Sequence, residues 1–412
     1  MEAGAKVYFV YNNPEDILCR QVERSREVIE DARIEKINLT TGPMAIAGST
    51  RMQATSIQLC VLLTILEMVV QELVAGGTAE LPAALPELFL ARLEELHAGL
   101  KSPELLAQLA AVVALEESVY RAGHKNNYFA DRFGIDVLTD TTERSPTFCT
   151  PPFRKAGDPT AAESWAFLFL PQPETVDAWR HLLHRAPRCI SWNALEVREL
   201  VGEEKLSQTL AILSKIRPAE LMQFKIGLDG LKLRPPAKGD SAIGIGSGEF
   251  CGDQLEAAQK AGAKTGMIHF GSSRRQEAPS SKSAFRNRQS AMLGVFVPVP
   301  ETDMLLDGIT RVAVKLVMNA LSTCTMVRLG RVMGNFMVWV VPSNLKLIDR
   351  ATRYIVQLTG LNYEAANRLL FEVFEYVEPR MKTDQAYPPV VGLAVLRAKR
   401  NLSNEAAEKE LK

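Results

Sequence analysis

The strongest constraint on the fold is that two short sequence patterns each occur twice. Ala3–Lys6 and Ala261–Lys264 both read AGAK, and each leads into a short strand-like run about 260 residues from its counterpart. Gly48–Arg51 (GSTR) and Gly308–Arg311 (GITR) each open a long apolar segment, again about 260 residues apart. Two independent matches at nearly one offset predict two copies of one domain.

The charge balance argues against nucleic acid and anionic membranes as partners. The chain has 48 basic and 48 acidic side chains, whereas proteins that bind such polyanions carry a basic excess. We therefore expect a small molecule or a protein as the partner. The amino-terminal residues carry no apolar leader, and a cytoplasmic location is expected.

The cysteines and the longest apolar run predict core positions. The six cysteines form no CxxC pair and have no histidine cluster at metal-ligand spacing, so we interpret them as reduced thiols that mostly fill the core. Neither a metal nor a cofactor is expected. Residues 57–70 form an apolar run that Glu67 interrupts and that is too short to cross a bilayer. This run predicts a buried core helix.

Short apolar runs that alternate with helical periodicity predict an α/β fold. A wholly apolar run is typical of a parallel strand, which is covered on both faces. Between the two copies, alanine, leucine and glutamate with three prolines predict three short connecting helices over residues 79–117, and a new α/β region is expected to open near Ser118. A long helix is predicted at 304–329 and a helical tail from 345. The predicted strands are 7–11, 34–39, 165–170, 242–245 and 293–299.

Two segments are candidate phosphate sites on composition alone. Gly246-Ser247-Gly248 follows a predicted strand and precedes an alanine-rich helix, and free amides with the helix dipole attract anions at such a helix start. Such a turn also serves merely to start a helix, and both interpretations stay open. The serine-rich, basic segment 272–288 is either a phosphate clamp or, as its composition favours, a solvated loop.

Residues 41–52, TGPMAIAGSTRM, resemble the TGPExIxGSTRMKAGT signature of a known family. The family comprises the N-acetylmuramate 6-phosphate etherases and the glucokinase regulatory protein, which are sugar isomerase (SIS) domain proteins. Residues 315–346 resemble its LST…RLGKVxGNLMV…TNxKL block, and residues 359–407 resemble the etherase's helical lid. The resemblance implies an α/β, SIS-type (flavodoxin-like) parallel sheet sandwiched by helices, in tandem copies with the first truncated, plus a C-terminal helical lid.

The resemblance implies four segments. Residues 1–75 would be the C-terminal half of a first SIS domain, 76–117 a helical connector, 118–345 a second SIS domain and 346–412 the lid. The phosphate loops and glutamates of the first copy would lie before Met1. We therefore expect a truncated gene model or an alternative start, or else a partner chain that completes the sheet.

A candidate catalytic residue comes from the same resemblance. Residues 140–148 are similar to DASECPPTF, in which the family's glutamate acts as acid or base in cleaving the lactyl ether, and this maps the role to Glu143. A carboxyl group with a raised pKa can remove a carbon proton or protonate the departing oxygen. Glu143 could also simply cap or pair within a loop. Glu163 matches the family's second glutamate, in GAEDS, only loosely.

The phosphate-binding motifs depart from the family pattern. Residues 122–129, AGHKNNYF, are taken as the counterpart of the phosphate loop GAGTSGRLG and lack its Ser-Gly pair, which leaves His124 and Lys125 as donors. Glu249 replaces the arginine of the family's ASGRTP loop, and a carboxylate beside a phosphate is unfavourable. Arg331 replaces a lysine and keeps its charge with a different geometry. The implied substrate-binding residues are Ser49, Thr50, Arg51, Ser247, Gly248 and Arg331.

Three functions remain open on the sequence. The chain could bind a phosphorylated hexose or amino sugar as a phosphosugar-responsive regulator, with a sugar kinase or self-association through the SIS sheet as its protein contact. It could be a lyase that cleaves the lactyl ether of N-acetylmuramate 6-phosphate through Glu143, or a structural scaffold with a degenerate site. An enzyme needs Glu143 beside a phosphate cradle, a sensor needs the cradle and a moving lid, and a scaffold needs neither. We favour the binding function.

Overall fold

A computed structural model describes residues 4–76, 84–189, 191–246, 248–272, 292–383 and 385–411. The strands are β1 (Val7–Tyr11), β2 (Ile34–Asn38), β3 (Asn126–Ala130), β4 (Ala166–Phe169), β5 (Ser241–Ile245), β6 (Lys264–Gly271), β7 (Met292–Pro298), β8 (Val332–Met333) and β9 (Phe336–Met337). The helices are α1 (Glu15–Gln21), α2 (Glu23–Glu30), α3 (Gln53–Val74), α4 (Leu85–Leu100), α5 (Pro103–Arg121), α6 (Gly134–Phe148), α7 (Thr175–Leu183), α8 (Ala194–Leu213), α9 (Pro218–Leu221), α10 (Leu228–Leu231), α11 (Glu249–Lys260), α12 (Gly308–Arg328), α13 (Leu345–Thr359), α14 (Tyr363–Lys382), α15 (Val390–Arg400) and α16 (Asn404–Leu411).

A five-stranded parallel sheet forms the core of one compact unit, which we call the sheet unit (residues 98–146 and 150–299). Its strand order is β4-β3-β5-β6-β7. Every residue of β3, β4 and β5 is buried, as expected for parallel strands that helices cover on both faces. The α/β fold with a parallel sheet that the sequence predicted is thereby confirmed.

The other compact unit, which we call the terminal unit, combines both ends of the chain (residues 1–97, 147–149 and 300–412). It contains the parallel pair β1–β2, the antiparallel pair β8–β9 and the long helices α3 and α12. Helices α13 to α16 follow, and Gly360, in the left-handed region at φ +79°, ends α13. The helical tail predicted from residue 345 is confirmed.

Helices α3 and α12 pack against each other in antiparallel directions. Lys315 Nζ on α12 donates to Arg51 O at 2.8 Å and Met52 O at 2.9 Å, just before α3 begins. Glu67, far along α3, accepts from the backbone amides of Leu305 and Leu306 at 2.7 and 2.9 Å, just before α12 begins. Each helix therefore binds the backbone at the other's amino end.

The structure corrects the predicted burial of the apolar run at 57–70. This run lies within α3, whose buried residues are Ala54, Cys60, Leu63 and Glu67. The opposite face is open, because Leu62, Leu66 and Leu73 are 55%, 50% and 73% exposed. By length and composition alone α3 could cross a membrane, a test that core helices of soluble proteins also pass, and α4 with α5 passes only as a pair bent by 69°.

The prediction of three short helices over 79–117 is wrong for the described part of that segment. The described residues form two long helices, α4 and α5, and the side chain of Ser102 caps α5 by accepting from Leu105 N at 3.1 Å. Residues 77–83 lie outside the described residues. The α/β region does not open at Ser118, which lies in the last turn of α5, but at β3.

The cysteines fill the core less than predicted. Cys60 and Cys251 are buried, Cys324 is exposed, and the other three are half-buried. Burial raises the pKa of the Cys60 thiol to about 11 and that of Cys251 to about 12. These two thiols are therefore protonated at neutral pH.

Candidate functional site

The carboxyl ends of β3 and β5 meet where the strand order of the sheet reverses. Chain order runs from β3 outward to β4 and then to β5 on the other side of β3. Ligands of open parallel sheets bind in the crevice outside such a switch point. Residues 131–133 follow β3 there and residues 246–248 follow β5. We call this place the switch-point crevice.

The carboxylate of Asp131 lies against the glycine turn of the switch-point crevice. A Cβ on Gly246 would be 2.6 Å from Asp131 Oδ1, and a Cβ on Gly248 would be 2.0 Å from Oδ2. Gly248 precedes α11 without a side-chain cap, so the carboxylate lies near a helix amino end, where negative charge is favourable. The carboxylate thus leaves no room for a side chain at either glycine, and Gly246 also has φ +126°, a conformation that favours glycine.

Of the two phosphate-binding residues predicted in this turn, the structure describes one. Gly248 lies in the crevice beside Asp131, whereas Ser247 lies outside the described residues, as do residues 273–288 of the basic segment. A phosphate entering this turn would meet the carboxylate of Asp131 in addition to that of Glu249, which the sequence had already marked as unfavourable.

The correspondence of residues 122–129 with the family's phosphate loop is wrong. Asn126 to Phe129 are strand β3, and His124 Nδ1 lies 3.5 Å from Asp240 Oδ1 in the turn before it. The connection between β3 and α6 begins instead at Asp131. Counting back from Glu143 along the DASECPPTF-like segment would have found this position, because the family's loop directly precedes that segment.

Glu143 lies half-buried on α6 and not in a loop. Its neighbour Arg144 is buried and binds Asp140 Oδ2 at 3.0 Å and Glu116 Oε2 at 3.3 Å, and it donates to Tyr128 Oη at 2.9 Å. Burial alone would lower the pKa of Arg144, but the groups around it hold that pKa well above its ordinary value. The buried charge network on this helix is therefore centred on Arg144.

Ser49, Thr50 and Arg51 lie between the Gly48 turn and the start of α3. Ser49 and Arg51 are buried, whereas Thr50 is exposed. Arg51 Nη2 donates to Ser322 Oγ on α12 at 2.7 Å, and its guanidinium lies 5.6 Å from the centre of the Phe148 ring. The GSTRM and LST segments, 271 residues apart in sequence, therefore contact each other.

Arg331 contacts the backbone of Phe148. Its Nη1 donates to Phe148 O at 2.7 Å and Cys149 O at 3.1 Å, and its guanidinium lies 4.2 Å from the centre of the Trp339 ring. Burial lowers the pKa of Arg331 to about 10, so it is charged at neutral pH. The structure thus brings Arg51 and Arg331 together around residues 147–149 of the terminal unit.

Helix α13 holds the Gly48 turn in place. Tyr354 Oη donates to Ala47 O, and Ala47 N donates to Asn335 O at 2.9 Å. Gly48 has φ +73°, and a Cβ there would be 3.0 Å from both Tyr354 Oη and Arg350 Nε. Glycine is therefore required by the backbone conformation and by the close approach of α13. Among the described residues, no group of three His, Cys, Asp or Glu could hold a metal ion.

Comparison with known proteins gives matches to one kind of enzyme. No protein-family model matches the chain. The N-acetylmuramic acid 6-phosphate etherase of Synechococcus elongatus is 36% identical over 138 residues, which cover 32% of this chain and 41% of that protein. The etherase 2 of Vibrio parahaemolyticus is 35% identical over 167 residues, 39% of this chain and 51% of that protein. That of Listeria monocytogenes is 33% identical over 190 residues, 44% and 56% respectively.

The chain spans about half the length of these curated relatives. The similarity to the etherases that the sequence motifs indicated is confirmed to that extent.

Proposed function

We propose that this chain is a sugar-phosphate-binding protein of the tandem SIS type, in which ligand binding is retained and etherase chemistry is not. The relatives carry the name of a phosphorylated amino sugar, N-acetylmuramic acid 6-phosphate, as what they act on. The ligand proposed here is accordingly a phosphorylated hexose or amino sugar. The regulatory role includes a protein contact with a sugar kinase or a second copy of the chain.

The observation that carries this proposal is the carboxylate of Asp131 in the switch-point crevice. Ether cleavage needs a phosphate cradle that fixes the substrate beside its acid or base. The connection leading into the helix of Glu143 begins with Asp131, which packs on the glycine turn across the crevice. This arrangement favours binding elsewhere over catalysis at Glu143.

The proposed ligand site is the Gly48 turn, with exposed Thr50 at its surface and buried Ser49 and Arg51 beside it. Helix α3 has 22 residues and no side-chain cap at its amino end, so its first amides and its dipole favour an anion there. Arg51 adds a positive charge. Helix α13, which belongs to the proposed lid, packs against the same turn. Ligand binding at this turn would therefore be sensed by the C-terminal helices.

The order of elements supports the tandem arrangement. Lys6 immediately precedes β1, and Lys264 opens β6. Strand β1 pairs in parallel with β2, and β6 pairs in parallel with β7. In both cases a GxTR sequence and a long helix, α3 or α12, come next in the chain. Within this proposal the divisions at residues 75 and 345 are kept as domain boundaries, and the one placed at 117 moves to the end of α5 at Arg121.

Thermal unfolding with phosphosugars tests the binding function. Fructose 6-phosphate, glucose 6-phosphate or N-acetylmuramate 6-phosphate should raise the melting temperature, since a ligand at about a hundredfold its Kd adds about 2.7 kcal/mol to the stability. Thr50→Glu, at an exposed position, should abolish the rise because it places a carboxylate at the turn. Thr383→Glu, also exposed but at the end of α14, is the matched control and should keep it. A melting temperature that no phosphosugar changes would rule the function out.

The lyase remains a second candidate because the relatives are etherases and Glu143 is present. Incubation with N-acetylmuramate 6-phosphate would then release D-lactate, which a dehydrogenase-coupled assay detects. We expect no release from the wild-type chain. Release that Glu143→Gln stops would overturn the binding proposal in favour of catalysis.

A further inference from the structure

A second cleft lies in the sheet unit, at the edge of the sheet opposite the switch-point crevice. It encloses about 240 Å³, and its deepest cation, Arg234, is anchored at the amino ends of β3 and β4. The crevice, in contrast, lies at the carboxyl ends of β3 and β5. The cleft is lined by Arg154, Lys155, Ala156, Gly157, Glu163, Phe167, Phe169, Lys225, Gly230, Leu233 and Arg234. We call it the basic cleft.

Arg234 is a fixed, buried charge at the bottom of the basic cleft. Its residue is only 7% exposed. Its guanidinium donates to Asn127 Oδ1 at 2.8 Å and Ser164 O at 2.8 Å, at the starts of β3 and β4. Burial lowers the pKa of Arg234, and Glu163 opposes that change. Since these bonds hold the side chain in one geometry, Arg234 loses no further side-chain entropy when a ligand enters the cleft.

Glu163 bridges the two arginines of the basic cleft. It accepts from Arg154 Nη1 at 3.0 Å and from Arg234 Nη1, and its side chain is still 41% exposed. Burial alone would raise the pKa of Glu163, but the charges of Arg234 and Lys125 hold it below its ordinary value. An ionised carboxylate therefore already bonds both guanidinium groups here, in a position open to solvent.

The rim of the cleft adds mobile positive charge. Lys155 and Lys225 are 45% and 38% exposed, and each pairs with an acid outside the lining, Glu220 at 2.8 Å and Asp229 at 3.2 Å. Exposed pairs of this kind contribute little stability and exchange readily with other anions. Four cations and one acid thus line the cleft.

The floor of the cleft is aromatic. Phe167 and Phe169 on β4 lie with their ring centres 5.3 Å apart, and Phe153 stacks on Phe167 at 4.2 Å. A few convergent polar groups over an apolar floor are the usual composition of a small-molecule pocket. We propose that the basic cleft binds a small organic oxyanion, with its apolar face on Leu233, which is 70% exposed, above the buried ring of Phe167, and its charged oxygens on Arg154, Lys155 and Lys225.

Ligand-observed NMR and calorimetry on the full chain test this proposal. The probes are phenyl phosphate and benzoate, which separate a phosphate ester from a carboxylate, and benzyl alcohol and inorganic phosphate, which lack the charge or the ring. At least one of the two ring-bearing anions should bind more tightly than both controls. A wild-type chain that binds neither anion, or binds benzyl alcohol equally well, overturns the proposal.

Substitutions of the two rim lysines test whether the ligand binds in the basic cleft. Lys155→Met with Lys225→Met should weaken the preferred anion about tenfold or more, since charge-assisted hydrogen bonds contribute about 1.5–3 kcal/mol. Lys232→Met, an exposed neighbour outside the lining, is the matched control and should leave the affinity unchanged. Glu163→Gln removes the competing charge and should tighten binding several-fold. Affinity unaltered by the double substitution would place the ligand elsewhere and overturn the proposal.

Discussion

The side chain of Asp131 occupies the space in which the glycine turn after β5 could hold a phosphate. Its carboxylate lies beside the amino end of α11 and in contact range of Gly246 and Gly248. A phosphate bound at this helix end would need the same space. The carboxylate is covalently part of the chain, so it is present at every ligand concentration and acts as a permanent competitor.

At the scale of this residue, we expect Asp131→Asn to lower the free energy of unfolding by about 0.3–1 kcal/mol, because the charge at the helix amino end is lost while the shape is kept. Urea unfolding at low and high salt measures this, and high salt should shrink the difference. Asp253→Asn, on the exposed face of α11 beyond its first turn, is the control. Equal losses from the two substitutions would contradict the interpretation.

At the residue scale the sequence identified Arg51, Arg331 and Glu143 as residues to examine but could not say what they contact. The contact of Arg51 with Ser322 joins segments 271 residues apart, and the spacing of motifs carries no information about such a meeting. Asp131 was missed because the phosphate loop was sought in residues 122–129, which are the turn after α5 and strand β3.

At the element scale, the reciprocal bonds of α3 and α12 define the terminal unit. Glu67 is 1% exposed and accepts two backbone amides before α12, as well as a bond from Gln71 on its own helix at 2.8 Å. In the sequence Glu67 only interrupted an apolar run. Glu67 binds the backbone just before α12, which begins more than two hundred residues later. The local sequence pattern could therefore predict helix α3 but not the hydrogen bonds that Glu67 accepts.

We expect Glu67→Ala to destabilise the chain by about 2–3 kcal/mol, because two part-buried amide donors lose a charged, buried acceptor. Gln71→Ala, which removes only the bond from Gln71 to Glu67, should cost less than about 1 kcal/mol. Urea unfolding followed by circular dichroism gives both values. If the two variants lose the same stability, the bonds to Leu305 and Leu306 do not hold α12 in place.

The predicted strands formed, whereas β3 was not predicted as a strand and the complete burial predicted for the 57–70 helix was wrong. The runs at 7–11, 165–170, 242–245 and 293–299 became strands within one residue at most ends, because a short, apolar, β-branched run has few other stable conformations. A helix that is apolar all round is expected to be covered all round. Residues 57–70 satisfy that pattern, yet the described elements of the terminal unit cover only one side of α3.

At the scale of the whole molecule, the two units differ in how completely their central elements are covered. The sheet unit has three strands buried at every position, whereas the terminal unit has a two-stranded parallel sheet and a half-exposed α3. Isolated pairs of strands are marginally stable. Local opening should therefore occur more readily in the terminal unit than in the sheet unit.

Each unit contains one buried cysteine, and this allows a direct comparison. Cys60 on α3 and Cys251 on α11 are protected by burial and by their raised pKa values of about 11 and about 12. We expect both to resist a thiol reagent in the native chain and Cys60 to react at a lower urea concentration than Cys251. Mass spectrometry of the labelled peptides reads this out, with exposed Cys324 as the reference. Coincident midpoints, or earlier reaction of Cys251, would show that the units do not open in this order.

Because the terminal unit is assembled from both ends of the chain, its two long helices are synthesised at different times. The ribosome completes α3 at Val74 and α12 only at Arg328, with the sheet unit in between. At about 5–20 residues per second, α3 is outside the ribosome for between roughly 10 and 50 seconds before its partner helix exists. During that interval both faces of a 22-residue apolar helix are open on the nascent chain, which makes this stretch the natural point of contact for cellular chaperones during synthesis.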